Sequence, residues 1–325
     1  MKQAISIIFT FCAIAMFLVI GSSCQPIDQT QLEKDRFVVL SFNIMAGYRL
    51  RGQRLSQTIK LIQESKADIV GLQEGRGGSA ERLAKLLGWN VVRQGLDSAI
   101  LTRYKIVESS EWGAIVKLDS GQDICMLSLH LQAYPYQPYE LLGIGKVHIK
   151  TEQEAIASAE KARGQSLATI LKHIHNLPHK DISVFVIGDF NEPSHLDWTE
   201  KAAKSGRHPI KVAYPTSTAM AKAGFVDAWR VFYPDEMKKP GFTWTPSTKT
   251  SNPKDHHDRI DFVYYKGTDL QLNYVKVVGE NNKNADIVVS PYPSDHRAVA
   301  ASFTLRKRSK SEEKDANKSD AGDGK

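Results

Sequence analysis

Short apolar runs separated by polar stretches dominate the chain. Phe37–Phe42, Asp68–Leu72, Ala99–Thr102, Ile124–Leu129 and Val184–Ile187 are rich in β-branched and aromatic residues and predict strands. Arg259–Tyr265 alternates around Asp261, and Gln271–Val278 and Ala298–Phe303 supply two more strands. Between them lie stretches of helical period. Arg54–Ser65 places Leu55, Ile59 and Ile62 on one face, and Ser79–Leu87 turns Leu83, Leu86 and Leu87 inward before a Gly88 stop. Glu152–His175 predicts a long helix, and Ala219–Ala223 a short one ended by Gly224. Ile106–Leu118 reads as an antiparallel hairpin arm, and Ala133–Lys150, without clear period, as an excursion over the surface. No repeat occurs at solenoid spacing. Runs of strands with helices between them predict a layered α/β sandwich built on two sheets.

The two ends do not fit that pattern. Lys2 precedes an uncharged run from Ala4 to Ile20, then Gly21, Ser22, Ser23 and Cys24, which is the form of an export leader. Cys24 after small residues resembles a bacterial lipobox, where the cysteine becomes the lipidated N-terminus; Gly21 departs from the aliphatic residue preferred there. Simple cleavage, or an uncleaved anchor, is the competing reading. Arg306–Lys325 has no large apolar residue and reads as a disordered charged tail. The expected organisation is therefore a leader over 1–24, a linker over 25–35, one domain over 36–305 and a tail over 306–325. The expected location is periplasmic or outer-surface in a bacterium, or otherwise secreted.

Only Cys125 of the three cysteines falls in the domain, so no disulfide framework forms within it, and its apolar context makes it a buried small hydrophobe. The net charge is +7, of which the leader contributes +1 and the tail +2, leaving +4 on the linker and domain together, residues 25–305. That is too mild a balance to select a nucleic acid over other anionic partners.

Polar groups recur where apolar strands end or begin. Asn43, Glu74, His130, the pair Asp189 and Asn191, and the pair Asp295 and His296 all stand at such places, while Asp261 stands inside a strand and needs a partner. Each has a plainer role. Asn43 is also a turn residue, Glu74 a solvated carboxylate, His130 a core histidine, Asp295 a cap, and Asp261 a surface partner for Arg259. All of those holding together is a poor account of so regular a placement. Asp255–Asp258, DHHD, reads as a polar loop, because adjacent histidines seldom reach one ion and no partner spacing follows.

The ordered set SFN, LQE, SLH, GDFN, RIDF and SDH, over about Phe37–Phe303, resembles the endonuclease/exonuclease/phosphatase superfamily of DNase I-like metal-dependent hydrolases. The resemblance implies a four-layered α/β sandwich of two packed, mainly antiparallel sheets flanked by helices. It implies Mg²⁺, replaceable by Mn²⁺, held by Glu74 with Asn43 beside it and Asp295 as a further or water-mediated ligand. Asp189 would orient or deprotonate water, Asn191 and His130 would donate to the phosphate, and Asp261 would fix His296, the His296–Asp261 pair being the alternative general base. Arg103 matches a position that usually supports the site. A histidine at 130 favours DNase I, sphingomyelinase and inositol phosphatase types over abasic-site endonucleases.

The activity so implied is that of an exported phosphodiesterase, with a phosphomonoesterase acting on inositol or sugar phosphates, or a sphingomyelinase-like enzyme, as alternatives. The expected partners are a nucleic acid, phospholipid or small phosphate ester, and a membrane through a lipid anchor; the expected state is a monomer. A non-catalytic binding module would be expected to lose Glu74, Asp189 or His296, and all three are present. Tyr134, Tyr136 and Tyr139 would stack bases, line a headgroup pocket or cover a helix.

Overall fold

Strand β1 (Arg36–Asn43) sorts its side chains onto two faces, Phe37 and Val39 on one, Val38, Leu40 and Phe42 on the other. The same sorting in the other long strands produces two packed sheets in a computed structural model, which describes residues 36–45, 55–178 and 181–306. The predicted leader with Cys24, the linker, and the tail beyond Arg306 lie outside the described residues.

The first sheet runs in the order β12 (Ile287–Val288), β11 (Leu270–Gly279), β13 (Ala298–Leu305), β1, β2 (Ile69–Gln73), β4 (Ser98–Thr102), β3 (Asn90–Gln94). The second runs β5 (Lys105–Ser109), β6 (Ala114–Lys117), β7 (Asp123–His130), β8 (Ser183–Asp189), β10 (Asp261–Lys266), β9 (Val226–Asp227). Antiparallel pairs predominate; β1 with β2, β7 with β8 and β11 with β12 are parallel. Phe37, Val39 and Phe303 from one sheet meet Met126, Phe185 and Ile187 from the other in a central apolar layer. Helices α1 (Leu55–Glu64) and α2 (Ser79–Leu87) cover the outside of the first sheet through Leu61, Ile62 and Leu83. The expected four-layered sandwich is the observed architecture. Cys125 is buried, as expected.

Two segments depart from expectation. The stretch read as a surface excursion contains a short helix, α3 (Gln137–Leu141), and buries Tyr136, Gln137 and Glu140. The predicted long helix forms as α4 (Glu152–Ala159), opened by a Thr151–Glu154 capping box, and α5 (Gln165–His175), whose Leu167 and Ile170 cover the second sheet. A π-helical turn, Glu160–Gly164, joins them and carries Arg163 into the protein interior.

Sheet direction places the site. Asn43 is level with Gln73 across β1 and β2, while His130 and Asp261 are both level with Asp189 across the second sheet. Strands β1, β2, β7 and β8 thus end, and β10 and β13 begin, along one edge of the sandwich. Gly188 allows the last step: it has φ 146°, and a Cβ there would lie 2.0 Å from the Leu129 carbonyl oxygen.

Candidate active site

The edge opens into a cleft of about 420 Å³ lined by Glu74, His130, Asp189, Asn191, Asp295 and His296, together with Arg76 and aromatic residues. Chain geometry sets their aim. Glu74 and Asn191 both adopt left-handed backbone conformations, with φ of 59° and 50°. Such a conformation costs a non-glycine residue about 1–3 kcal/mol and concentrates at functional sites.

Asp189 is the centre of the constellation. Its Oδ2 accepts from Asn43 Nδ2 at 3.0 Å and lies 3.8 Å from His130 Nε2 and 3.7 Å from His296 Nε2. Its Oδ1 accepts from the Asn191 backbone N–H at 2.8 Å. Burial raises the Asp189 carboxyl above its usual range; the His296 charge works against this and Asp261 adds to it.

Each histidine has its own carboxylate. His296 Nδ1 is 2.9 Å from Asp261 Oδ2, and its ring packs against Trp244. Burial opposes charge on His296, yet Asp261 and Asp189 outweigh it and push the imidazolium up to about 10. His130 Nδ1 is 3.1 Å from Asp97 Oδ2. Burial again opposes charge, and Asp97 and Asp189 overcome it, so His130 is also raised. Asp97 in turn accepts from Arg76 at 2.9 Å.

Asn43 Nδ2 also donates to Glu74 Oε1 at 3.2 Å, while its Oδ1 accepts from the Met45 N–H. As oriented, Asn43 bridges two carboxylates with its amide N–H groups and turns its oxygen away from them. Ser294 Oγ donates to the Asn43 carbonyl at 2.6 Å, which ties the Asp295–His296 turn to the end of β1. Asn191 Nδ2 donates to the Leu131 carbonyl and retains a second N–H.

Arg103 is not at the site. Strand β4 runs antiparallel to β2 with Thr102 level with Ile69, so the residue after β4 lies at the beginning of β2, on the far edge of the sheet. There Arg103 pairs with Asp68 at 2.6 Å and Asp119 at 2.7 Å. The residue that serves the cleft is Asp97, immediately before β4 at the strand's other end, through its contact with His130. Sequence reading missed it because its partners, His130 and Arg76, are distant in the chain. Arg259 is likewise no partner of Asp261; it is buried between Asp197 and Asp227, each at 2.8 Å.

A buried pair supports the cleft from beneath. Arg163 donates to Glu192 Oε2 at 2.8 Å and to the carbonyls of Gln132 and Pro135, joining the loop after His130 to the loop after Asp189. Of the three tyrosines, Tyr136 and Tyr139 spend their hydroxyls on Asp258 and Asp255, and Tyr134 is exposed. The DHHD stretch is not a simple polar loop, since His257 and Asp258 are buried.

Glu74 and Asp295 line one cleft, and their carboxylate oxygens are the donor type that a hard divalent cation takes. Asp189, Asp261 and His296 also bring ligand-capable atoms within 4.8 Å of one another, a mixed oxygen and nitrogen set.

A model of the Endonuclease/Exonuclease/phosphatase family matches residues 40–296. An uncharacterized protein of Caenorhabditis elegans, F14F9.5, is 31% identical over 297 residues, covering 82% of this chain and 91% of that protein. Among solved structures, an endonuclease/exonuclease/phosphatase from Beutenbergia cavernae is similar with a TM-score of 0.54 and 16% identity, covering 83% of this chain and 72% of that one. TDP2 of D. rerio, complexed with a single-strand DNA product, is similar with a TM-score of 0.53 and 17% identity, covering 83% and 99%. At these identities the structural likeness speaks for the fold.

Proposed function

The chain belongs to the endonuclease/exonuclease/phosphatase family of metal-dependent phosphoric ester hydrolases, and we propose that it is a phosphodiesterase in which Asp189 activates the attacking water. The observation that carries this reading is the placement of Asp189 Oδ2 under 4 Å from two imidazole Nε2 atoms, one at the end of β7 and one in the turn before β13. A carboxylate with a raised pKa accepts a proton from water, while two cationic rings beside it attract an anionic phosphate.

Glu74 and Asp295 are the residues that would hold Mg²⁺ or Mn²⁺, with Asn43 positioning Glu74 through its amide N–H, and the ion would supply charge stabilisation at the phosphate and the leaving oxygen. Asp189 takes the water proton. His130, oriented by Asp97, and His296, oriented by Asp261, donate to phosphate oxygens as charge develops. The free N–H of Asn191 serves the same oxygens. Arg76, at the cleft mouth, adds a further positive charge toward the substrate.

The substrate proposed is a phosphodiester joined to a planar group, with nucleic acid first among such esters. Tyr134 in the cleft wall is 69% exposed, and an exposed aromatic face is what base stacking uses. The D. rerio TDP2 structure with a single-strand DNA product supports the same direction. Action after export, with Cys24 as a lipid anchor, is the accompanying proposal, supported by the sequence of the leader.

The test is hydrolysis of bis-p-nitrophenyl phosphate against p-nitrophenyl phosphate by the full chain with Mg²⁺. Preference for the diester is expected; preference for the monoester would transfer the proposal to a phosphatase.

A further inference from the structure

The DHHD segment meets a distant histidine in space. His208 Nδ1 and His256 Nε2 are 3.0 Å apart, and His256 Nε2 is 3.8 Å from Asp258 Oδ1. All three ligand-capable atoms lie within 4.8 Å of one another. His256 and Asp258, two residues apart, face the same way, while His257 turns aside to Thr248. Adjacent histidines do not share a centre here; alternate residues do, and the third donor comes from 48 positions earlier.

We propose that His208, His256 and Asp258 form a second metal site, apart from the catalytic cleft, which takes a borderline divalent transition metal such as Zn²⁺. Two imidazole nitrogens and one carboxylate oxygen suit Zn²⁺, Co²⁺ or Ni²⁺ and do not suit Mg²⁺, which takes oxygen. In a tetrahedral zinc site with bonds near 2.0–2.1 Å, neighbouring donors stand about 3.3 Å apart. The spacings of 3.0 and 3.8 Å bracket that value.

The donors are held as ligands are held. The Trp198 indole stacks on His208 at 4.2 Å and 13° and meets His256 edge-on at 5.5 Å. Its Nε1 donates to Asp258 Oδ1 at 2.9 Å, and the Tyr136 hydroxyl donates to Oδ2 at 2.7 Å, so the carboxylate cannot swing away. Tyr214, packed edge-on against Trp198, is fully buried with its hydroxyl unpaired and lies within electrostatic range of Asp258. An entry path exists, because His256 borders an open cavity of about 400 Å³ between Arg207, Met237 and Thr250. The site also touches the catalytic wall. Tyr136 lines the active cleft, and Trp244 pairs by its backbone with both Asp258 and His296. A metal here would fix that wall without meeting substrate.

The test uses the full chain, stripped with EDTA and returned to excess Mg²⁺, and titrated with Zn²⁺ by calorimetry and with Co²⁺ by visible absorption. One tight Zn²⁺ equivalent, tetrahedral Co²⁺ bands and a raised melting temperature are expected. Glu74→Gln should retain all three. His208→Asn and His256→Gln should each weaken Zn²⁺ binding at least about tenfold. His256 borders the open cavity, so its replacement serves if His208→Asn fails to fold. Binding undiminished in both histidine variants, binding lost only in Glu74→Gln, or no Zn²⁺ uptake and no thermal shift in the unaltered chain would each overturn the proposal and leave an imidazole–imidazole hydrogen bond.

Discussion

His296 Nδ1 lies 2.9 Å from Asp261 Oδ2, with both side chains buried and the other ring nitrogen turned toward Asp189. This pairing settles how a buried aspartate is tolerated at the start of an apolar strand. Asp261 is the first residue of β10, level with Asp189 on β8, and its carboxylate is neutralised across the gap to the first sheet.

The pair sets the alkaline limit of activity. Burial disfavours charge on His296, and Asp261 is the largest influence holding the imidazolium up to about 10. Asp261→Asn removes that influence, so His296 should lose its proton at lower pH. The kcat/KM profile should show its alkaline limb moved to lower pH, with the plateau reduced about 10²–10⁴-fold. A limb still near 10 with an unchanged plateau would contradict the role.

Arg163 is expected to matter for stability before chemistry. It and Glu192 are both fully buried, and removal of one partner leaves the other charged in the interior. Arg163→Ala should lower unfolding free energy by about 3–5 kcal/mol, read from the urea midpoint at constant slope. A change under about 1 kcal/mol would refute this account of the loop junction.

Arg103 should matter little to either. Its side chain is 40% exposed and its ion pairs lie at the far sheet edge. Arg103→Ala should leave kcat/KM near the wild-type value and cost about 1 kcal/mol or less in stability, as exposed pairs do. A large loss of kcat with intact folding would return this residue to the site.

The contrast between Arg103 and Asp97 shows what a sequence carries. Asn43, Glu74, His130, Asp189 and His296 were legible because each ends or adjoins an apolar run, and a strand end is a local signal. The side of the sheet on which an end falls is not local. It depends on whether the strand runs with or against its neighbours, and β4 runs against β2, which sends Arg103 away and brings Asp97 in. Arg163 with Glu192, and His208 with His256, were illegible for a related reason: their contacts span 29 and 48 residues and exist only once the layers have packed. The orientation of Asn43 is a third case, fixed by two carboxylates that meet only at the folded edge.

The central claim is that Asp189 activates water for metal-dependent cleavage of a phosphodiester. Its most direct measurement is the rate of bis-p-nitrophenyl phosphate hydrolysis by the full chain and by Asp189→Asn, each with Mg²⁺ and with EDTA. The account predicts cleavage that EDTA abolishes and that the substitution lowers about 10²–10⁴-fold while the melting curve stays cooperative. Equal rates in the two proteins, or cleavage indifferent to EDTA, would contradict it.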